Sequence, residues 1–332
     1  MRIGIDCRKM ADFGIGTYVR GLVHALAELG GDEEYVLFTP RDADVPATME
    51  RVLVDAPQYS VRELMVLGRA IAKARLDLFH SPHFVLPWTS CPTVATVHDT
   101  ILVHYPPPRP GASLYLSVMM RRTLRKSVRV LTVSEAAKQS IVEDFGPDPA
   151  KIAVTPNGID AIFFEDGPRA KGRYFLYVGN DKVHKNVPRL LEAFAQIRDA
   201  QLVLAGAPFE QYRGVPGVVT AGFVSIEELA ALYRGAIALV IPSLEEGFGL
   251  PAAEAMACGA PVIASDIPSL REVTGGAAFH VDPRSVDAIA HAMRNVTGEH
   301  VDRARERARL FTWRRCAELT RAVYRSATRP LP

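Results

Sequence analysis

Glu246 and Glu254, with seven residues between them, bracket the run Gly247-Phe248-Gly249-Leu250-Pro251. A carboxylate accepts two O–H bonds side by side, which matches the vicinal hydroxyls of a ribose or a hexose. Gly247 and Gly249 let the main chain approach a ligand and aim N–H groups at its oxygens. Pro251 suits the first turn of a helix, whose positive end favours phosphate. These residue types in this order fit a ligand that carries both a diol and phosphates. Two acidic residues beside a helix start are also what a plain acidic cap looks like, so the pair alone does not decide.

Three other segments hold groups that could do chemistry. Gly179-Asn180-Asp181-Lys182-Val183-His184-Lys185-Asn186 places a glycine turn and cations at a helix mouth, as a phosphate site needs, although an exposed basic loop has the same spelling. His98 follows the apolar run Thr93–Val97, and a histidine at a strand end serves structure more often than chemistry; His80 and His83, after the preceding run, are weaker candidates. Asp12-Phe13-Gly14-Ile15-Gly16-Thr17 lies between a first strand and a helical pattern. A dinucleotide fingerprint requires a third glycine where the chain has Val19, and a tighter turn, so an NAD site is excluded. Asp42-Ala43-Asp44 spells an Asp-x-Asp metal motif but sits in a charged loop without supporting residues.

The elements that must position these groups alternate between short apolar runs and amphipathic helical patterns. Strands are expected at 2–6, 35–38, 52–54, 76–79, 93–97 and 130–133, with helices near 17–29, 60–74, 111–127 and 134–144. After a Gly- and Pro-bearing stretch at 158–172 the alternation restarts, with strands at 174–178, 202–204, 218–219, 237–241, 262–264 and 278–281. Helices fall near 187–197, 226–233 and 251–258, and a closing helix at 314–324. Such alternation implies two mostly parallel sheets covered on both faces, an α/β protein with ligands at the carboxyl ends of strands. A length of 332 residues fits about two domains of ~150 residues each. The domains are drawn at 1–165 and 166–310, with 311–332 as a closing helix.

Composition narrows the function. The chain carries 39 Lys plus Arg against 37 Asp plus Glu, a net charge of +2, which gives no electrostatic case for nucleic acid. Cys7, Cys91, Cys258 and Cys316 lie far apart, so neither a disulfide framework nor a zinc site is expected, and a cytoplasmic setting fits. No apolar run is long enough to span a bilayer. Arg121, Arg122, Arg125, Lys126 and Arg129 form one basic stretch, read either as a solvated face or as a contact for anionic lipid headgroups.

The fourteen residues from Glu246 to Gly259, Glu-Gly-Phe-Gly-Leu-Pro-Ala-Ala-Glu-Ala-Met-Ala-Cys-Gly, resemble the Glu-x7-Glu signature of the retaining family-four (group 1) glycosyltransferases of GT-B fold. The segments Gly14-Ile15-Gly16-Thr17-Tyr18-Val19, Thr96-Val97-His98-Asp99-Thr100 and Thr155-Pro156-Asn157-Gly158 are similar to further family landmarks, in the family order. The resemblance implies two Rossmann-like domains facing across a cleft, with the closing helix crossing back to the first. It also implies transfer of a hexosyl group, mannosyl slightly favoured and GDP-mannose a candidate donor, to a saccharide or lipid-linked hydroxyl with retention. Glu254 would hold the donor ribose, and Glu246 with the backbone of Gly247, Phe248, Gly249 and Leu250 the donor sugar. Lys185 would face the diphosphate, helped by Gly179, Asn180, Lys182 or a protonated His184, and His98 the reacting sugar. Gly14, Gly16 and Tyr18 would shape the acceptor side. No metal and no cofactor are expected. Where many relatives carry an arginine in the 179–186 loop this chain has none, which places the burden on Lys185. The alternative is a catalytically silent nucleotide-sugar-binding subunit. In either case the expected setting is cytoplasmic, peripheral on the inner face of the membrane if the basic stretch touches lipid.

Overall fold

The computed structural model describes residues 1–54 and 61–328, so position 60 of the second expected helix lies outside the described residues. The chain divides into two compact units, 1–158 with 312–332, and 159–311. The break falls at Gly158/Ile159, earlier than the boundary drawn from sequence, and the chain returns to the first unit at Thr312.

In the first unit the elements run β1 (Arg2–Asp6), α1 (Ile15–Leu29), β2 (Glu34–Thr39), β3 (Glu50–Leu53), α2 (Val61–Ala74), β4 (Leu78–Ser81), β5 (Thr93–Thr96), α3 (Ile101–His104), α4 (Ala112–Lys126), β6 (Arg129–Thr132), α5 (Glu135–Phe145) and β7 (Ile152–Val154). The strands form one parallel sheet in the order β3-β2-β1-β4-β5-β6-β7. The second unit follows as β8 (Tyr174–Val178), α6 (Val187–Phe194), β9 (Gln201–Ala205), β10 (Val218–Gly222), α7 (Ile226–Gly235), β11 (Ala238–Ile241), α8 (Leu250–Ala257), β12 (Val262–Ser265), α9 (Pro268–Thr274), β13 (Phe279–Val281), α10 (Val286–Asn295) and α11 (Val301–Ala308). Its parallel sheet reads β10-β9-β8-β11-β12-β13. Strand order reverses between β1 and β4 in one sheet and between β8 and β11 in the other. The crevice outside the carboxyl ends at such a reversal is where open α/β sheets bind ligands.

The patterns that made these elements readable are burial patterns. In α1, Tyr18, Val19, Leu22, Val23 and Leu26 turn inward together, and burying each aliphatic side chain contributes about 1.5 to 3 kcal/mol. Among the elements that went unread, α10 carries a readable face of Ile289, Ala290 and Met293, whereas β7 and α11 have weaker patterns. β7 has only three residues, and α11, Val-Asp-Arg-Ala-Arg-Glu-Arg-Ala, buries no side chain larger than those of Ala304 and Ala308.

The last helix, α12 (Trp313–Ala327), packs along α1 and buries Cys316, Ala317, Thr320 and Tyr324 in the first unit. Its first residue is accommodated by two glycines. A Cβ on Gly21, inside α1, would lie 2.1 Å from the Trp313 ring, and one on Gly158 would lie 2.2 Å from the Trp313 amide nitrogen. Alanine at position 21 would ordinarily favour an α-helix over glycine by roughly 0.5 to 1 kcal/mol. Here the clash reverses that preference. Gly21→Ala should destabilise the protein by about 1 to 3 kcal/mol, the usual cost of overpacking. Urea unfolding monitored by tryptophan fluorescence and circular dichroism checks this, and a variant as stable as the parent would contradict the packing.

Candidate functional site

In the second unit, β8 and β11 lie side by side at the strand-order reversal, and the loops that leave their carboxyl ends are stitched together. The Leu244 amide donates to the His184 carbonyl at 2.7 Å. Asn186, at φ 60°, ends the turn Val183–Lys185 and begins α6; asparagine tolerates that left-handed position. Its Nδ2 donates to the carbonyls of Pro242 at 2.9 Å and Pro283 at 2.8 Å. The third link is ionic. Lys185 Nζ meets Glu246 Oε1 at 2.7 Å, with side-chain exposures of only 17% and 10%. Ser243 Oγ donates to the same oxygen at 2.7 Å. Both donors converge on Oε1, which leaves the lone pairs of Oε2 for a ligand hydroxyl. A lysine ammonium has three protons, so two stay available to an anion.

Glu254 lies one helix turn into α8 and is buried. Its Oε2 accepts from the Tyr233 hydroxyl at 2.8 Å. Burial pushes the carboxyl up to about 7; the Tyr233 bond opposes this, and the charge on Asp160 adds to it. A carboxyl held at the edge of ionisation can gain a charge when a ligand supplies hydroxyl donors.

Between these carboxylates the chain presents backbone rather than side chains. Phe248 is buried with its ring edge-on to Phe311, centroids 5.2 Å apart. Gly249 sits at φ 95° as the residue before α8, and a Cβ there would lie 2.5 Å from Leu270 Cδ2, so only glycine fits. No side chain caps α8, and Pro251 in its first turn has no N–H to satisfy. In the other loop, Gly179 closes β8, and the Asn180 carbonyl accepts from Tyr177 at 2.7 Å while its Oδ1 accepts from the Lys182 amide at 3.2 Å. Lys182 points to solvent, whereas His184 is buried. Burial and the neighbouring Lys185 lower the His184 imidazole to about 4. It is neutral near pH 7, which corrects the expectation of a protonated helper at this position.

In the first unit His98 follows β5 and is half-buried. Its Nε2 lies 3.1 Å from the Pro82 carbonyl, an acceptor only, so Nε2 carries the proton and Nδ1 the lone pair. Burial lowers the ring to about 4, and it is neutral. The Tyr18 ring meets it edge to face, with centroids 4.8 Å apart at 84°. Tyr18 was expected to line the acceptor side, yet it is fully buried and lies beneath the surface. Gly16 is likewise fitted to the protein, because a Cβ there would lie 2.4 Å from the Met10 carbonyl oxygen. Gly14, exposed at φ 38° before α1, has open space around it and remains the accessible glycine of that loop. His80 and His83 are buried, and burial lowers both imidazoles.

Ser243, Asn186 and Tyr233 were not singled out in the sequence. Asn186 and Ser243 could have been, since each adjoins a selected cation or carboxylate in the chain. Tyr233 could not, because nothing local shows that its hydroxyl meets a carboxylate 21 residues on. Among the described residues no group of three or more His, Cys, Asp or Glu side chains is placed to hold a metal ion, and no helix is long and apolar enough to cross a membrane.

Comparison with known proteins gives this arrangement a family. Residues 14–162 match the family model described as Glycosyltransferase Family 4, and residues 172–298 match that described as Glycosyl transferases group 1. A glycogen synthase of Mycobacterium tuberculosis is 32% identical over 381 aligned positions, covering 95% of this chain and 92% of its own. The O-antigen chain mannosyltransferase B of Escherichia coli is 29% identical over 286 residues, 75% of this chain and 74% of its own. An MMP alpha-(1->4)-mannosyltransferase of Mycolicibacterium hassiacum is 36% identical over 236 residues, 63% of this chain and little more than half, 56%, of its own. Among solved structures, a sucrose-phosphate synthase of Thermosynechococcus elongatus superposes with a TM-score of 0.81 at 23% identity, over 98% of both chains. The Anabaena protein HepE in complex with UDP-glucose superposes with a TM-score of 0.77 at 16% identity, over 98% of this chain and 100% of its own. Matched in both halves and aligned with a relative over nearly its full length, the chain belongs to the family-four (group 1) glycosyltransferases of GT-B fold.

Proposed function

We propose that this glycosyltransferase moves a hexosyl group, mannosyl before others, from a nucleotide diphosphate sugar to an acceptor hydroxyl with retention and without a divalent metal. The observation that carries the reading is the Lys185–Glu246 pair, whose carboxylate precedes the uncapped start of α8, the helix that holds the buried Glu254. Two of the relatives are named as mannosyltransferases, which favours GDP-mannose, while a glycogen synthase and a neighbour holding UDP-glucose make UDP-glucose the second donor to test. In this reading Glu254 accepts from the ribose, and Glu246 Oε2 with the Gly247–Leu250 backbone holds the sugar. Lys185 counters the charge that develops on the leaving diphosphate, where a preorganised cation acts mainly on the transition state. Neutral His98 takes a hydroxyl of the reacting sugar at Nδ1.

The pH behaviour of Glu254 supplies a direct test. Its folded-state value of about 7 lies above the ordinary 4.5, so the folded protein holds a proton that the unfolded chain gives up. The stability this proton contributes is present below about pH 4.5 and is lost as pH rises through 7. Ribose hydroxyls donate to the ionised form, so nucleotide binding should expel the proton. Calorimetry with GDP and UDP at pH 6 to 7, in buffers of different ionisation enthalpy, should report proton release and an affinity that rises with pH. Glu254→Gln should abolish the release, and Glu254→Ala should weaken binding by about 1.5 to 3 kcal/mol. Absence of proton release in the parent would remove Glu254 from the ribose.

The diphosphate assignment is tested by turnover. Lys185→Ala should lower it about 100-fold or more and Lys182→Ala much less, in line with losing one oriented donor. His184→Gln should keep the parent's pH profile, since that ring stays neutral. Activity should persist in EDTA. A Lys185→Ala enzyme near parent turnover would move the phosphate site elsewhere.

For the acceptor, one observation favours a lipid-linked chain. On the outer side of α4, Leu114, Tyr115 and Val118 are exposed by 71%, 39% and 47%, and Arg121, Arg125 and Lys126 follow them along a helix that has no acidic residue. Apolar side chains leading into cations suit the interface of an anionic bilayer. Two of the basic residues chosen from sequence serve otherwise. Arg122 turns inward and donates to the Leu86 and Pro87 carbonyls, and Arg129 begins β6. Phosphatidylglycerol-containing vesicles should therefore sediment the protein and pure phosphatidylcholine vesicles should not. Leu114→Ser with Val118→Ser, or Arg121→Glu with Arg125→Glu, should each abolish co-sedimentation, and equal binding to both vesicle types would overturn the contact.

A further inference from the structure

We propose that a buried hydrogen-bond chain starting in the C-terminal helix α12 sets the orientation of the His98 ring, which makes Tyr324, His80, Thr96 and Tyr18 positioning residues for the transfer. The chain has three links. Tyr324 Oη lies 2.6 Å from His80 Nδ1, His80 Nε2 lies 2.7 Å from Thr96 Oγ1, and Thr96 Oγ1 lies 3.0 Å from Tyr18 Oη. The fourth step is a packing contact, the edge of Tyr18 against His98. All four positioning side chains are fully buried, so no water competes for these bonds.

The chemistry of the links makes the chain directional. Burial holds His80 neutral, lowering it to about 3, so one ring nitrogen donates and the other accepts. When the Tyr324 hydroxyl donates to Nδ1, Nε2 carries the ring proton and donates to Thr96, which then donates to Tyr18; the opposite tautomer reverses every arrow. In either direction each group has a single correct rotamer, and the loss of the Tyr324 hydroxyl is felt at Tyr18. His98 itself is fixed at two places only among the contacts described, by Pro82 at Nε2 and by the Tyr18 edge. Tilting Tyr18 would release the second. Helix α12 reaches His80 across 244 residues of sequence and after the whole second unit, so the ring is set only when the end of the chain has docked.

The kinetic part of this inference rests on the reading that His98 acts on the reacting sugar, and the test separates the two. Tyr324→Phe, His80→Gln and Thr96→Val are compared with Tyr35→Phe, which removes a buried hydroxyl of the same core that has no hydrogen-bond partner. Nitrogen-15 spectra of histidine-labelled full-length protein should show His98 as the Nε2–H tautomer in the parent and in Tyr35→Phe. In Tyr324→Phe its signals should shift or broaden. Tyr324→Phe should lower kcat about tenfold, as small misplacements of a reacting group do, with the donor KM changed less than twofold. In a His98→Ala background the same substitution should cost nothing more, whereas a merely structural role would cost the same in both backgrounds. Unchanged His98 signals in Tyr324→Phe, or an equal loss in the His98→Ala background, would overturn the inference. A His98→Ala enzyme with parent turnover would instead overturn the role given to His98, while the spectra would still decide whether the chain holds its ring.

Discussion

The ion pair between Lys185 and Glu246 is the constraint around which the second unit's site is built. Both groups are largely removed from water, and an ion pair in that setting is tolerated only when geometry and additional hydrogen bonds offset the desolvation. Ser243 supplies one such bond, and Asn186 fixes the backbone on either side. Removing either charge would strand the other, at a cost of roughly 3 to 5 kcal/mol for a buried pair. The pair therefore ties the loop after β8 to the loop after β11. It also holds a cation and a carboxylate oxygen in fixed positions before any ligand arrives, which is how a polar site avoids reorganising during a reaction.

One cause, burial, shifts the carboxyl and the imidazoles in opposite directions. Burial leaves Glu254 near its ionisation point at neutral pH, ready to take a charge when hydroxyl donors approach. The same desolvation keeps His98, His80 and His184 neutral. The fixed positive charge at the proposed phosphate site thus comes from lysine and a helix end, and the histidines act as hydrogen-bonding groups of defined tautomer. A protein that used protonated histidine here would lose its cation within the physiological pH range.

Close packing explains much of the glycine content near the site. Gly249 is shaped to Leu270, Gly16 to the Met10 carbonyl, and Gly21 with Gly158 to Trp313. In each case a side chain would strike the protein itself. Gly14 alone of these faces open space, so ligand approach is an argument for one glycine of that loop rather than for both.

The order of elements, the two parallel sheets and the segment from Glu246 to Glu254 were legible in the chain because each depends on local pattern. Strands buried on both faces read as apolar runs, amphipathic helices repeat every three to four residues, and a glycine-rich turn ahead of a proline marks a helix start. β7, three residues long, and α11, which buries only alanines, lack such a pattern and escaped, while α10 escaped despite its face of Ile289 and Met293. The partners of the site residues also escaped, for a different reason. That Lys185 would pair with Glu246, that Tyr233 would hold Glu254, and that Tyr324 would reach His80 are contacts between residues 61, 21 and 244 positions apart. Residue type and spacing determined which groups could do chemistry. Strand order and burial, which exist only once the sheets have formed, decided which of them are charged, which are neutral, and which lie beneath the surface.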